Sequence, residues 1–138
     1  MATEASFIGL SPWSGNDYRI DFETPVGAFD LHNNAHFESI SFFAELAEVV
    51  LAFRYAANWE EIDDNDVNVW LKFTGVRMLR LNQAADFDPQ AAITLEGITH
   101  RVASAGSEFE IDAGDWTCGF MASSLELETT VGEAGHRR

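Results

Sequence analysis

Apolar and polar positions alternate with a period of two in several short stretches of the chain, and this pattern carries the fold. In Val67-Asn68-Val69-Trp70-Leu71-Lys72-Phe73, the residues Val67, Val69, Leu71 and Phe73 fall on one side while Asn68, Trp70 and Lys72 fall on the other, as in a strand with one buried face. Tyr18 to Glu23 and Glu108 to Asp112 alternate in the same way. Ile93 to Ile98 reads as a strand with an irregularity at Gly97, and Trp116 to Glu128 has room for a last strand or two. Thr74-Gly75 reads as a bulge or tight turn, after which Val76 to Leu81 continues extended with Arg77 and Arg80. Turn formers at Ser14-Gly15-Asn16-Asp17, Asn33-Asn34 and Ala113-Gly114-Asp115 separate these stretches.

Phe37 to Tyr55 fits two patterns, and the fold depends on which one holds. As a helix, Phe42, Leu46, Val49, Val50 and Phe53 would line one face, with Ser41 as a cap. As a hairpin, Phe37 to Phe43 and Glu48 to Tyr55 would be two strands around Ala44-Glu45-Leu46-Ala47, with Val49, Leu51, Phe53 and Tyr55 on one side of the second arm. The β-branched and aromatic residues favour the hairpin, whereas a turn without Gly, Asn or Pro favours the helix. We adopt the hairpin. The expected fold is therefore mainly β: a single antiparallel-sheet domain, either a sandwich or a strongly curved sheet, with few short helices. A helix at about 41–57 would make it α+β.

Composition adds a size and a sign. The chain has 138 residues, enough for one domain, which we place at 1–130 with 131–138 as a flexible tail. Hydrophobic residues make up 46%, including eleven Phe and four Trp, so the high charge does not imply disorder. Twenty-three Asp and Glu against eight Lys and Arg, with Lys72 the only lysine, give a net charge of −15. A surplus of this size favours a basic protein partner and disfavours direct binding of nucleic acid or of anionic membranes. A salt-rich cytoplasm would account for the same acidity without any partner. Cys118 is the only cysteine, Met1 to Gly9 has neither a basic segment nor a long apolar run, and no window approaches 18 uncharged apolar residues. The expected compartment is a reducing cytoplasm.

No catalytic motif is visible. Asp64, Asp66 and Asn68 have the spacing of an oxygen-rich calcium loop, but the EF-hand glycine and bidentate Glu positions hold Val69 and Gly75. His32 and His36 are four residues apart, yet Asn33-Asn34 makes their segment a turn, and no metal site is expected there. No cofactor is expected either. Glu108, Glu110 and Asp112 alternate with Phe109 and Ile111, and Glu126 and Glu128 alternate with Leu125 and Leu127. If these strands are neighbours, they present one anionic platform; the same alternation is how any one-sided sheet meets water. Trp70 points away from the Val67 row, either as an exposed hot spot or covered by a second core.

The order His36-Phe37-Glu38-Ser39-Ile40, then EVVLAFRY from Glu48, then VNVWLKFTGVRMLRL from Val67 resembles small acidic bacterial immunity-type proteins, which neutralise toxins, and related β-rich domains, over roughly residues 32 to 82. This chain has His36-Phe37 where that pattern prefers His-Asp. The likeness implies a non-enzymatic cytoplasmic protein that binds a basic toxin or nuclease by protein-protein contact, opposite charge speeding association. The contacting patch is then expected at Trp59, Glu60, Glu61, Asp63, Asp64 and Asp66, with Trp70, Glu108, Glu110 and Asp112 as further binding candidates. A homodimer also stays open. Two other classes stay open: a DNA-mimic inhibitor using carboxylates spaced like phosphates, and a structural or small-ligand-binding domain with an apolar pocket lined by Phe and Trp.

Overall fold

The period-two stretches become strands. The computed structural model describes residues 4–13, 18–55, 67–90 and 93–130. Within them run twelve strands and no helix: β1 Ser6–Ile8, β2 Tyr18–Arg19, β3 Asp21–Thr24, β4 Gly27–Asp30, β5 Ala35–Phe43, β6 Glu48–Tyr55, β7 Val67–Thr74, β8 Arg77–Gln83, β9 Gly97–Ala103, β10 Gly106–Asp112, β11 Trp116–Ala122 and β12 Ser124–Thr129. The first sheet has the order β1-β12-β7-β6-β5 and the second the order β2-β9-β10-β11-β8. All pairings within these sheets are antiparallel except β1 with β12.

The two sheets pack face to face through rings. Phe73 on β7 meets Phe109 on β10 at 5.0 Å and Phe120 on β11 at 4.8 Å between centroids, and Phe37 on β5 meets Trp116 on β11 at 5.5 Å. Val69, Leu71 and Phe73 are fully buried, as their alternation requires. Each such side chain contributes about 1.5–3 kcal/mol by leaving water. The β3–β4 hairpin contributes buried Phe22 and Phe29 to the same core, with Phe22 against Trp13 and Phe29 against Tyr55.

The hairpin reading of residues 37–55 holds, with β5 and β6 paired from Ala35↔Tyr55 to Phe43↔Glu48. Its turn manages without Gly because Ala47 adopts a left-handed backbone, φ 51°, after hydrogen bonds from Leu46 N–H to Phe43 O (3.1 Å) and Ala47 N–H to Ala44 O (3.3 Å). Four-residue hairpin loops of this kind are commonly built on a type I turn. Thr74-Gly75 is a passage between sheets: β7 belongs to the first and β8 to the second. Gly75 has φ 64°, and a Cβ there would stand 2.8 Å from that of Ser123, where the chain crosses back from β11 to β12.

Three expectations need correction. Tyr18 to Glu23 is not one strand: β2 pairs with β9 and β3 with β4, the break falling at Ile20, whose carbonyl accepts from Leu31 N–H at 2.8 Å. Ile93 to Ile98 is not a strand either; β9 begins at Gly97, because the preceding residues bury Leu95 and make isolated bonds in place of a ladder, Glu96 N–H donating to Asp112 O and Leu95 O accepting from the His32 ring. Finally, β10 and β12 lie in different sheets, so their carboxylate rows face opposite sides of the sandwich.

Candidate functional site

Trp59, Glu60, Glu61, Asp63, Asp64 and Asp66, and the 131–138 tail, lie outside the described residues. The other acidic candidates are in place. On β10, Ser107, Phe109 and Ile111 point inward, which leaves Glu108, Glu110 and Asp112 on the outer face of the second sheet. Glu108 is not a free anion, because Arg101 opposite it on β9 donates to its carboxylate. Glu110 and Asp112 are exposed and continue toward the β2 edge, where they meet residues that the sequence did not single out. Tyr18 on β2, 64% exposed, lies across Gly97 on β9; a Cβ at Gly97 would stand 3.0 Å from the Tyr18 Cγ. A glycine inside a strand is often the seat of such an approach, and that was the available signal.

Tyr18, Glu96, Gly97, Thr99, Glu110 and Asp112 together line a notch of about 260 Å³. Three carboxylates and an aromatic face line it, and among the described residues no cation does. The His32 ring stands 3.7 Å from the Glu96 carboxylate, but its Nδ1–H donates to Leu95 O at 2.7 Å. On the other side of Glu110, Arg80 lies over Gly119, where a Cβ would stand 2.6 Å from its guanidinium. The outer face of the second sheet is thus split into an anionic half and an arginine-bearing half.

The first sheet carries the second acidic row. Glu128 opposes Trp70 in register, and Lys72 stands 3.8 Å from the Glu128 carboxylate. Trp70 is half-buried on the outer face between Ala52 and Glu128. The buried cluster of the described residues lies between the sheets and does not include it, so the second core expected over Trp70 is absent from them.

A serine and a histidine do come together in space. Ser107 Oγ lies 2.7 Å from His100 Nε2, the separation of a nucleophile and its base. Here the pair is structural. His100 Nδ1–H donates to the Trp13 carbonyl, which fixes the tautomer; Nε2 then accepts from the Ser107 hydroxyl, whose oxygen accepts the Ala5 N–H at 2.8 Å. His100 is 0% exposed and stacks on Phe109 at 4.7 Å, so no substrate reaches it. Cys118 is equally inert: burial pushes its thiol up to about 11, against the opposing pull of Arg80, so the thiolate needed for nucleophilic chemistry is not formed near neutral pH. His36 lies opposite Arg54 on β5, away from His32 in the preceding turn. Among the described residues no three His, Cys, Asp or Glu side chains gather to hold a metal, and no helix is long and apolar enough to cross a membrane.

A second concavity opens between the edges of the two sheets. Among the described residues no strand covers the inward side chains of edge strands β5 and β8, and Phe37, Ile40, Leu81, Phe87, Ile93 and Trp116 line an apolar slot of about 410 Å³, with Glu38, Ser39 and Gln83 at its polar margin. The chain matches no family model, no curated protein and no solved structure.

Proposed function

We propose that the protein is a non-enzymatic binding domain for a basic protein partner, and that the Tyr18 notch receives a Lys or Arg side chain of that partner. The observation that carries this reading is that Tyr18, Glu96, Glu110 and Asp112 line one notch with no cation among its described lining residues. A cation over the Tyr18 ring gains about 0.5–1 kcal/mol at an exposed site, and exposed ion pairs add about 0.2–1 kcal/mol each. Such terms are small singly; their convergence sets the register of a complex that the net charge of −15 steers together. The likeness of residues 32–82 to immunity-type proteins makes a basic toxin or nuclease the preferred partner. A DNA mimic fits less well, because ion pairs interrupt both carboxylate rows, at Arg101–Glu108 and at Lys72–Glu128.

The test is an NMR titration with a lysine-rich peptide at low salt. The expected result is amide shifts concentrated at Tyr18, Gly97 and Thr99 and abolished by Tyr18→Ala together with Glu110→Gln. Equal shifts along β12, around Glu126 and Glu128, would mean diffuse attraction and no site.

A further inference from the structure

The apolar slot shares no lining residue with the Tyr18 notch and calls for a different ligand. Its walls are the two edge strands, and each is interrupted by a bulge. In β5 the register passes from Phe37↔Phe53 to Ser39↔Ala52, so Glu38 is an extra residue, pushed out of the ladder to the margin of the slot. In β8 the register passes from Arg80↔Gly119 to Arg77↔Met121, so Met78 and Leu79 together oppose Phe120, and Met78 takes a left-handed backbone, φ 59°. Bulges at sheet edges re-aim side chains beside binding sites. The bulge in β5 aims a carboxylate.

Six of the ten exposed large hydrophobics among the described residues belong to these strands and the β5–β6 turn: Phe42, Phe43, Leu46, Met78, Leu79 and Leu81. More than half of the exposed large hydrophobics among the described residues therefore lie on or beside the two edge strands that bound the slot. The slot is within the size range of small-molecule sites, mostly apolar with a few polar groups at its margin. Among the described residues its one charged lining residue is Glu38, and Arg77 and Arg80 pair with the outward positions of β11 and do not line it. An organic anion would meet this carboxylate and a strongly negative molecule, and a neutral ligand would leave the carboxylate unused.

We propose that the slot between β5 and β8 binds a small hydrophobic ammonium compound, its apolar body against Phe37, Ile40, Leu81 and Trp116 and its charged nitrogen on Glu38. Trp116 lines the slot, so occupancy is read as a saturable change in tryptophan fluorescence.

Decylammonium, decanol and decanoate, each below its aggregation threshold and at about 0.15 M salt to screen the general field, are titrated into the intact protein. Decylammonium is expected to saturate a single site, with decanol about fivefold weaker, as loss of one partly exposed ion pair requires, and decanoate weaker still. Glu38→Gln should lower decylammonium to the affinity of decanol and leave decanol unchanged. Leu81→Gln, at a position 64% exposed and so compatible with folding, should weaken both ligands alike. Decylammonium binding that survives Glu38→Gln unchanged would overturn the proposal, since the β5 bulge would then only guard an edge strand against pairing. Equal binding of decanoate, or no saturable change with any probe, would overturn it as well.

Discussion

Removing one hydroxyl should loosen the whole amino-terminal segment. Ser107→Ala takes away the atom that both donates to His100 Nε2 and accepts the Ala5 N–H, leaving two buried polar groups without partners. An orphaned buried donor or acceptor costs about 1–3 kcal/mol, and the two share one site, so we expect a loss of about 2–4 kcal/mol. A domain of this size has about 5–15 kcal/mol to lose, so the effect is large on that scale. Urea denaturation would show it as a lowered midpoint with an unchanged slope. The same clamp ties residues 5–13 to the second sheet at both ends, through Ala5 and through the Trp13 carbonyl. Amide exchange of Ser6, whose N–H bonds Ser123 O at 3.0 Å, should therefore accelerate more than that of Leu71 in the central strand β7. His100→Phe in the Ser107→Ala background should cost less than it does alone, because the two groups act as one network. An unfolding free energy within about 0.5 kcal/mol of the parent's, the range of an ordinary surface change, would refute the reasoning.

Ala47→Gly should stabilise the protein by about 0.5–1 kcal/mol, because relief of a left-handed alanine exceeds the added freedom of the unfolded chain; a lower urea midpoint would contradict this. At Asp30, burial raises the carboxyl pKa, but hydrogen bonds from the Asn33 side chain and from the Asn33 and His32 N–H groups, with the nearby His32 charge, outweigh it and hold the pKa below the ordinary value. A lowered folded pKa gives stability that is present above the unfolded pKa and lost as pH falls through the folded one, so acid unfolding below about pH 4 should be shallower in Asp30→Asn than in the parent. For Cys118 the sign reverses. Its folded pKa is raised, so its contribution is complete below the unfolded thiol pKa and is lost as pH rises toward about 11. At neutral pH a thiol reagent should modify it only at the rate of unfolding, and rapid stoichiometric labelling of the native protein would argue against the burial described.

Period-two alternation is local, so it gave away the faces of β7 and β10 directly. It could not assign strands to sheets, which depends on pairing between distant segments. The carboxylate rows of β10 and β12 read alike in the sequence and end on opposite faces because the chain changes sheet at Ser123. The ambiguity of residues 37–55 also has a definite source. The Glu38 bulge places Phe37 and Ile40, three residues apart, on the same inward side, and that spacing mimics one face of a helix. The Tyr18 notch was half legible: Glu110 and Asp112 were named, whereas Tyr18 joins them only through the β2–β9 pairing and Glu96 only through its N–H bond to Asp112 O.

The acidity and the open edge explain each other better than either explains itself. Among the described residues β5 and β8 end their sheets without a further strand, and Phe42, Phe43 and Leu81 are exposed beside these edges, the surface on which a second copy would add its own strand. Two bulges break the regular ladder along these edges, and Glu38 would place a charge in any such seam. A net charge of −15 opposes the approach of a like-charged copy while leaving the approach of a cation favourable. Repulsion between copies is screened by salt, whereas the apolar contact is not. Raising the salt concentration should therefore promote self-association, and Glu38→Gln should bring its onset to lower salt; sedimentation that shows a monomer at every salt concentration for both proteins would show that the edges are protected by shape alone.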